Sequence, residues 1–189
     1  LALLALGVLS LSQIALSQIY SVTAEITPDI TELNIGQQAY ITPDPEMSLT
    51  YNVLITRHNN SLRGRRSMVD LIDMGIDQPS NWIIISVTNN TSYEDWMLDF
   101  GNHTHGRQAL IQKILVRNHT TGDIAFQNLE DITDQKISGL SGTAVPVRLQ
   151  KQSTNLLVLY LMTEGPMANT IAPKIIRTDR FLEESQNKG

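Results

Sequence analysis

Read for hydrophobic and polar positions, the chain is a series of short apolar segments divided by clusters of Pro, Gly, Asn, Asp and Ser. Residues 39–42 form one segment. Asp44-Pro45 closes it, because proline fixes φ and removes a backbone donor. Residues 49–56 alternate, with Leu49, Tyr51, Val53 and Ile55 on one face, and predict the next strand. Residues 58–67 are polar and basic and predict a loop, 69–74 are a short apolar piece, and 75–80 are loop. Residues 82–88 run Trp-Ile-Ile-Ile-Ser-Val-Thr, which suits a central strand covered on both faces. Asn89-Asn90-Thr91-Ser92 is a turn signal, and 96–100 is the partner strand. Residues 110–117 and 124–128 predict a hairpin about the turn 118–123. Three further strands are expected over 144–149, 156–163 and 170–177. About nine or ten short strands with few helical stripes predict an all-β antiparallel sandwich or barrel. Trp82, Ile83, Ile85, Leu98, Phe100, Val158 and Tyr160 are expected to be buried. Trp96 and Tyr93, in or near a turn, have the better claim to exposure.

The first 24 residues differ from the rest. They hold no charged side chain, and 1–16 are almost wholly apolar or small. The text turns polar at Ser17-Gln18 and reaches Val22-Thr23-Ala24, a small-residue pattern suited to cleavage before Glu25. Residues 1–24 are therefore expected to be a signal peptide truncated at its start, since the usual Met and basic residues are missing. A retained anchor is the alternative, because the two overlap in length. Residues 25–178 are expected to be the sandwich domain and 179–189 a short helix or linker leading elsewhere. A domain of this size can bury a core without staples, so the absence of cysteine does not oppose export. Net charge is −5, with 14 basic and 19 acidic residues. That balance disfavours nucleic acid, which needs a basic face.

Little in the text carries catalytic chemistry. His103 and His105 alternate and could share an ion on a strand, but no acid stands at a metal-motif spacing. Solvated loop histidines are the plainer account. No serine sits in a Gly-x-Ser-x-Gly elbow, and Glu94-Asp95 and Glu130-Asp131 fall in turn-like text. No enzyme activity, metal or cofactor is expected. Arg57, Arg63, Arg65 and Arg66 could hold an anion, since guanidinium pairs with carboxylate or phosphate, but a flexible basic loop is the plainer account. Asn59, Asn90, Asn102 and Asn118 open Asn-x-Ser/Thr sequons, which are simply turn residues in a bacterial setting and would matter in a eukaryotic secretory one.

Three stretches, in order, carry a family likeness: Ala39-Tyr40-Ile41-Thr42-Pro43-Asp44-Pro45 followed by Leu49-Thr50; Trp82 through Asn89; and Trp96-Met97-Leu98-Asp99-Phe100-Gly101-Asn102. They resemble the type 2 extracellular sensor domain of bacterial seven-transmembrane receptors with diverse intracellular signalling modules. The resemblance covers most of 35–184. Ile84 stands where the family often has a polar residue, and His103 and Gly106 stand where it often has Pro and Asp. The resemblance implies a jelly-roll sandwich, similar to carbohydrate-binding modules, in the periplasm. It also implies a tether to the inner membrane through a downstream seven-helix bundle and a cytoplasmic output domain. No apolar run of about twenty residues follows Glu25, so a truncated receptor or a stand-alone relative is implied.

The function expected is ligand sensing, with occupancy passed to the membrane. The alternative is a secreted carbohydrate-binding or adhesion module without signalling. The partner is a small-molecule or carbohydrate ligand. Aromatics are few, so contacts are expected from rim loops rather than from a stacking platform. Arg65, Tyr93, His103, His105 and Arg107 are the expected ligand residues, and a small polar or anionic ligand suits them.

Overall fold

A computed structural model describes residues 22–60, 64–75, 80–100, 110–126, 144–164 and 170–187. In chain order the elements are β1 (Thr23–Ile26), β2 (Glu32–Asn34), a 3-10 turn (Gly36–Gln38), β3 (Ala39–Pro43), α1 (Tyr51–Asn59), β4 (Arg65–Arg66), β5 (Ile72–Asp73), β6 (Ser80–Asn89) and β7 (Asp95–Asp99). They continue with β8 (Leu110–Asn118), β9 (Ile124–Phe126), β10 (Ala144–Arg148), β11 (Ser153–Glu164), β12 (Thr170–Ile171), β13 (Lys174–Arg177) and α2 (Thr178–Gln186). The chain is an antiparallel β-sandwich. One sheet runs β4-β3-β6-β11-β8-β9, with β1 added beside β6; the facing sheet runs β10-β7-β13-β2, and β12-β5 form a small third ladder.

The core lies between the two large sheets, because side chains alternate across each strand. From the first sheet come Ile41, Ile83, Ile85, Val87, Leu157, Leu159 and Leu161; from the second, Trp96, Leu98, Val145, Val147 and Ile175. β6 and β11 are in register over their whole contact, with Leu159 opposite Ile83 and Leu157 opposite Ile85. The outer face of the large sheet is also apolar. Trp82, Ile84 and Val158 pack there under Leu54 and Ile55 of α1, with Tyr160 partly buried beside them. α2 does the same on the second sheet, where Phe181 packs on Met97 and Ile176.

Residues 49–56 are not a strand. Tyr51–Asn59 is a helix, and the reason is local. Tyr51, Leu54, Ile55 and His58 also fit a helical stripe, so both periods were present in the text. The caps decide between them. The Thr50 hydroxyl accepts from Val53 N at 3.4 Å, and Arg57 and His58 occupy the last turn, where positive charge suits the helix dipole. Upstream, the Asp44 carboxylate accepts from Ser48 N and Leu49 N and receives the Trp82 indole N–H at 3.3 Å. Val53, expected on a strand face, is 43% exposed.

Other differences follow from short range. The expected strand over 170–177 is split into β12 and β13 at Ala172-Pro173, since proline cannot donate to a ladder. Trp96 is buried at 1% exposure, with its indole N–H aimed at Tyr93 O. Tyr93, 49% exposed, is the open one. The boundary expected between residues 24 and 25 falls inside β1.

Candidate functional site

One rim of the sandwich is built by three buried asparagines. Asn89, at the end of β6, donates to Tyr93 O (2.7 Å) and Leu149 O (3.0 Å) and accepts from Thr91 N and the Thr91 hydroxyl. Asn118, at the end of β8, donates to Arg148 O (2.8 Å) and to Asn155 Oδ1 (2.9 Å). Asn155 donates to Gln150 O and Ser153 O and accepts from Gln150 N. Each carboxamide is 3% exposed or less. A buried amide is costly unless hydrogen-bonded, and these three are satisfied by one another and by the backbone of the turns between strands. The three turns, 89–95, 118–123 and 148–153, are thereby joined into one platform rather than three independent loops.

An open pocket of about 500 Å³ lies at this rim, between the turn after β6 and the start of α2. Tyr93, Glu94 and Asp95 line one side, Lys151 another, and Arg177, Asp179 and Leu182 the helix side. Glu94, Lys151, Arg177 and Asp179 are in ion pairs. The Arg177 guanidinium lies 4.9 Å over the Tyr93 ring while its Nε donates to Asp179 Oδ1 at 2.7 Å. That bond holds the Asp179 carboxyl below the usual carboxylate range. Arg148 donates from Nε (3.1 Å) and Nη2 (2.6 Å) to Glu94 Oε2, and Lys151 Nζ stands 3.8 Å from Glu94 Oε1. The Arg148 bonds, with the charges of Arg148 and Lys151, hold Glu94 low as well. The Thr178 hydroxyl donates to Asp95 O at 2.9 Å and ties the helix start to β7. Chemically, the pocket offers a half-exposed aromatic face, an aliphatic wall at Leu182, and acids and bases that a polar ligand could engage by exchanging partners.

The expected ligand residues are dispersed. Tyr93 lines the pocket. Arg65 does not: it lies on β4 opposite Ile41, which itself faces Ile83, well short of the rim that begins past Asn89. Its Nη2 donates to Asp73 O. The segment that follows runs back beside β3, with Ser67 N donating to Ala39 O, and is seated by Gly36, where a Cβ would stand 1.9 Å from Asp70 O. His103, His105 and Arg107 lie outside the described residues. Sequence reasoning missed Arg177, Asp179 and Leu182, which reach the pocket only because α2 folds back on the second sheet. The signal was present in Phe181, an apolar residue in a polar tail. Among the described residues, no group of three or more His, Asp or Glu side chains is placed to hold a metal ion. No family model matches this chain, and no curated protein sequence does.

Proposed function

We propose that this chain is the non-enzymatic, ligand-sensing ectodomain of a bacterial membrane receptor, a jelly-roll sandwich exported to the periplasm and tethered to the inner membrane. Its likeness to the type 2 sensor domains gains from one contact. Asp44 and Trp82, from two of the three stretches that carry the likeness, meet in a buried hydrogen bond. The observation that carries the function is the Arg177–Tyr93 stack. Arg177 is the last residue of β13 and the residue that opens α2. A ligand that takes the Tyr93 ring, or the Asp179 carboxylate, competes with Arg177 and so acts on the segment by which the chain leaves the sandwich. Binding would then bias one arrangement of α2 over another, a population shift that a membrane bundle could read.

The chain has no cysteine, so a single Gln186→Cys substitution gives a clean labelling site on α2. The labelled domain is screened by thermal shift against carboxylates, sugars and metal ions, since a ligand of the native state raises the melting temperature. The expected result is a stabilising small polar ligand that also changes the probe signal, with both effects lost in Tyr93→Ala. A ligand that raises the melting temperature without moving the probe would make this a binding module without signalling. Stabilisation that survives Tyr93→Ala and Arg177→Gln would move the site elsewhere.

A further inference from the structure

β1 enters the large sheet as a parallel strand beside β6, with Thr23 opposite Ser86, Ala24 opposite Val87 and Ile26 opposite Asn89. Ala24 and Ile26 point into the core, at 2% and 0% exposure. Ile26 O accepts from Asn90 N at 2.9 Å, directly below the rim turn. β3 occupies the same edge of β6 only up to Ile85, so β1 is what pairs residues 86–89 on that side. Proteolysis before Glu25 would remove Thr23 and Ala24 from this ladder. Only Glu25 and Ile26 would remain of β1, opposite Thr88 and Asn89.

A second small-x-small pattern stands upstream. Ala15-Leu16-Ser17 closes the apolar run directly, with small residues at the first and third positions before Gln18, as an export peptidase requires. We propose that the leader is cut between Ser17 and Gln18, and that β1 is thereby kept whole. The step is hydrolysis: water adds across the Ser17–Gln18 amide, leaving a carboxylate on Ser17 and a free α-amine on Gln18. This placement rests on the export reading above, and it assigns β1 to the mature domain rather than to the leader.

The test uses the full chain, preceded by a start methionine and a short basic stretch, expressed in a bacterium. The periplasmic product is read by intact mass and N-terminal sequencing. The expected product begins at Gln18. Ser17→Leu, which puts a large residue next to the cut, should leave most of the product uncut. Val22→Lys should change nothing, because Val22 is critical only to a cut before Glu25. An exported product beginning at Glu25, or one exported uncut as an anchor, overturns the cleavage site and leaves export standing. A chain retained in the cytoplasm overturns both.

Discussion

The two faces of the large sheet are both apolar and are built on different terms. On the inner face Ile83, Ile85, Val87, Leu157, Leu159 and Leu161 are fully buried against the second sheet. Sheet-on-sheet packing sets a nearly constant gap, and aliphatic side chains of similar size fill it. On the outer face the cover is a nine-residue helix that meets the sheet with Leu54 and Ile55. A cylinder on a sheet leaves wedges at its flanks, and aromatic rings fill them. The Trp82 and Tyr160 rings meet at 4.6 Å, tilted 45° to each other, under the helix. At its N-terminal end the Tyr51 hydroxyl meets His119 Nδ1 at 2.6 Å, with the Arg117 guanidinium 4.4 Å over the Tyr51 ring. Partial burial pushes the Tyr51 hydroxyl pKa up, against the opposing pull of Arg117. At the other end Tyr40 meets the His58 ring edge-on. A helix this short is marginal alone, so it depends on these contacts and its caps. The inner face should therefore open only with the whole domain, and the outer face ahead of it.

The sharpest comparison sets Trp82→Ala against Leu159→Ala. Each should cost roughly 3–5 kcal/mol and 2–5 kcal/mol respectively in urea unfolding, as a large core side chain is lost. Native-state hydrogen exchange should separate them. Leu159→Ala is expected to speed exchange across both sheets. Trp82→Ala is expected to act mainly on α1 and the Asp44 turn. Equal, global effects would remove the distinction between the faces, and a cost below about 1 kcal/mol for Trp82→Ala would mean that the indole is not packed.

Asp44→Ala should have the next largest effect. The carboxylate is 3% exposed and serves two backbone amides and the Trp82 indole. Its loss leaves those donors without their charged acceptor, at roughly 2 kcal/mol. The same exchange measurement should show α1 loosened while the inner face is unchanged.

These residues also show what was legible in the text. The strands were, because runs such as 82–88 and 156–163 are β-branched or aliphatic and bounded by turns. α1 was not, because its apolar positions fit either period and the choice was made by the Thr50 cap inside the run and by Asp44 upstream of it. β1, β2 and β4 are too short to carry a pattern and exist because a neighbour offers an edge. At the site, Tyr93 could be found as an aromatic residue in a turn. Arg177 could not, since the stack joins residues far apart in the chain. Asn89 and Asn118 read as ordinary turn residues, and nothing local distinguishes a buried brace from an exposed sequon.

Thr50→Val tests the helix cover more gently. The cap bond is long, so the cost should fall near the low end of the range for lost caps, about 0.5–1 kcal/mol. Tyr51→Phe should cost a similar amount or less, because the bond it removes is open to water. If Tyr51→Phe instead matches Asp44→Ala, the polar fringe holds the helix as firmly as the buried cap does.

The smallest effect is electrostatic and should spare both faces. Glu94 and Asp179, whose carboxyls are held low by Arg148 and Arg177, belong to the rim. A carboxyl whose folded pKa is depressed contributes stability that is fully present above its unfolded pKa and is lost as pH falls through the folded one. Acid should therefore loosen the rim in the window below the ordinary carboxylate range. The loss should be small and salt-sensitive, because these pairs are exposed. An NMR titration of the Glu94 side chain should find it depressed in the native chain and returned toward its ordinary value by Arg148→Gln. Over the same window, Leu159→Ala and Trp82→Ala should shift the stability curve without changing its slope, since neither touches a rim carboxylate. An ordinary titration of Glu94 in the native chain would show the Arg148 bond to be absent in solution. A pH slope altered by Trp82→Ala would tie the rim to the outer face, and the two could no longer be treated as independent.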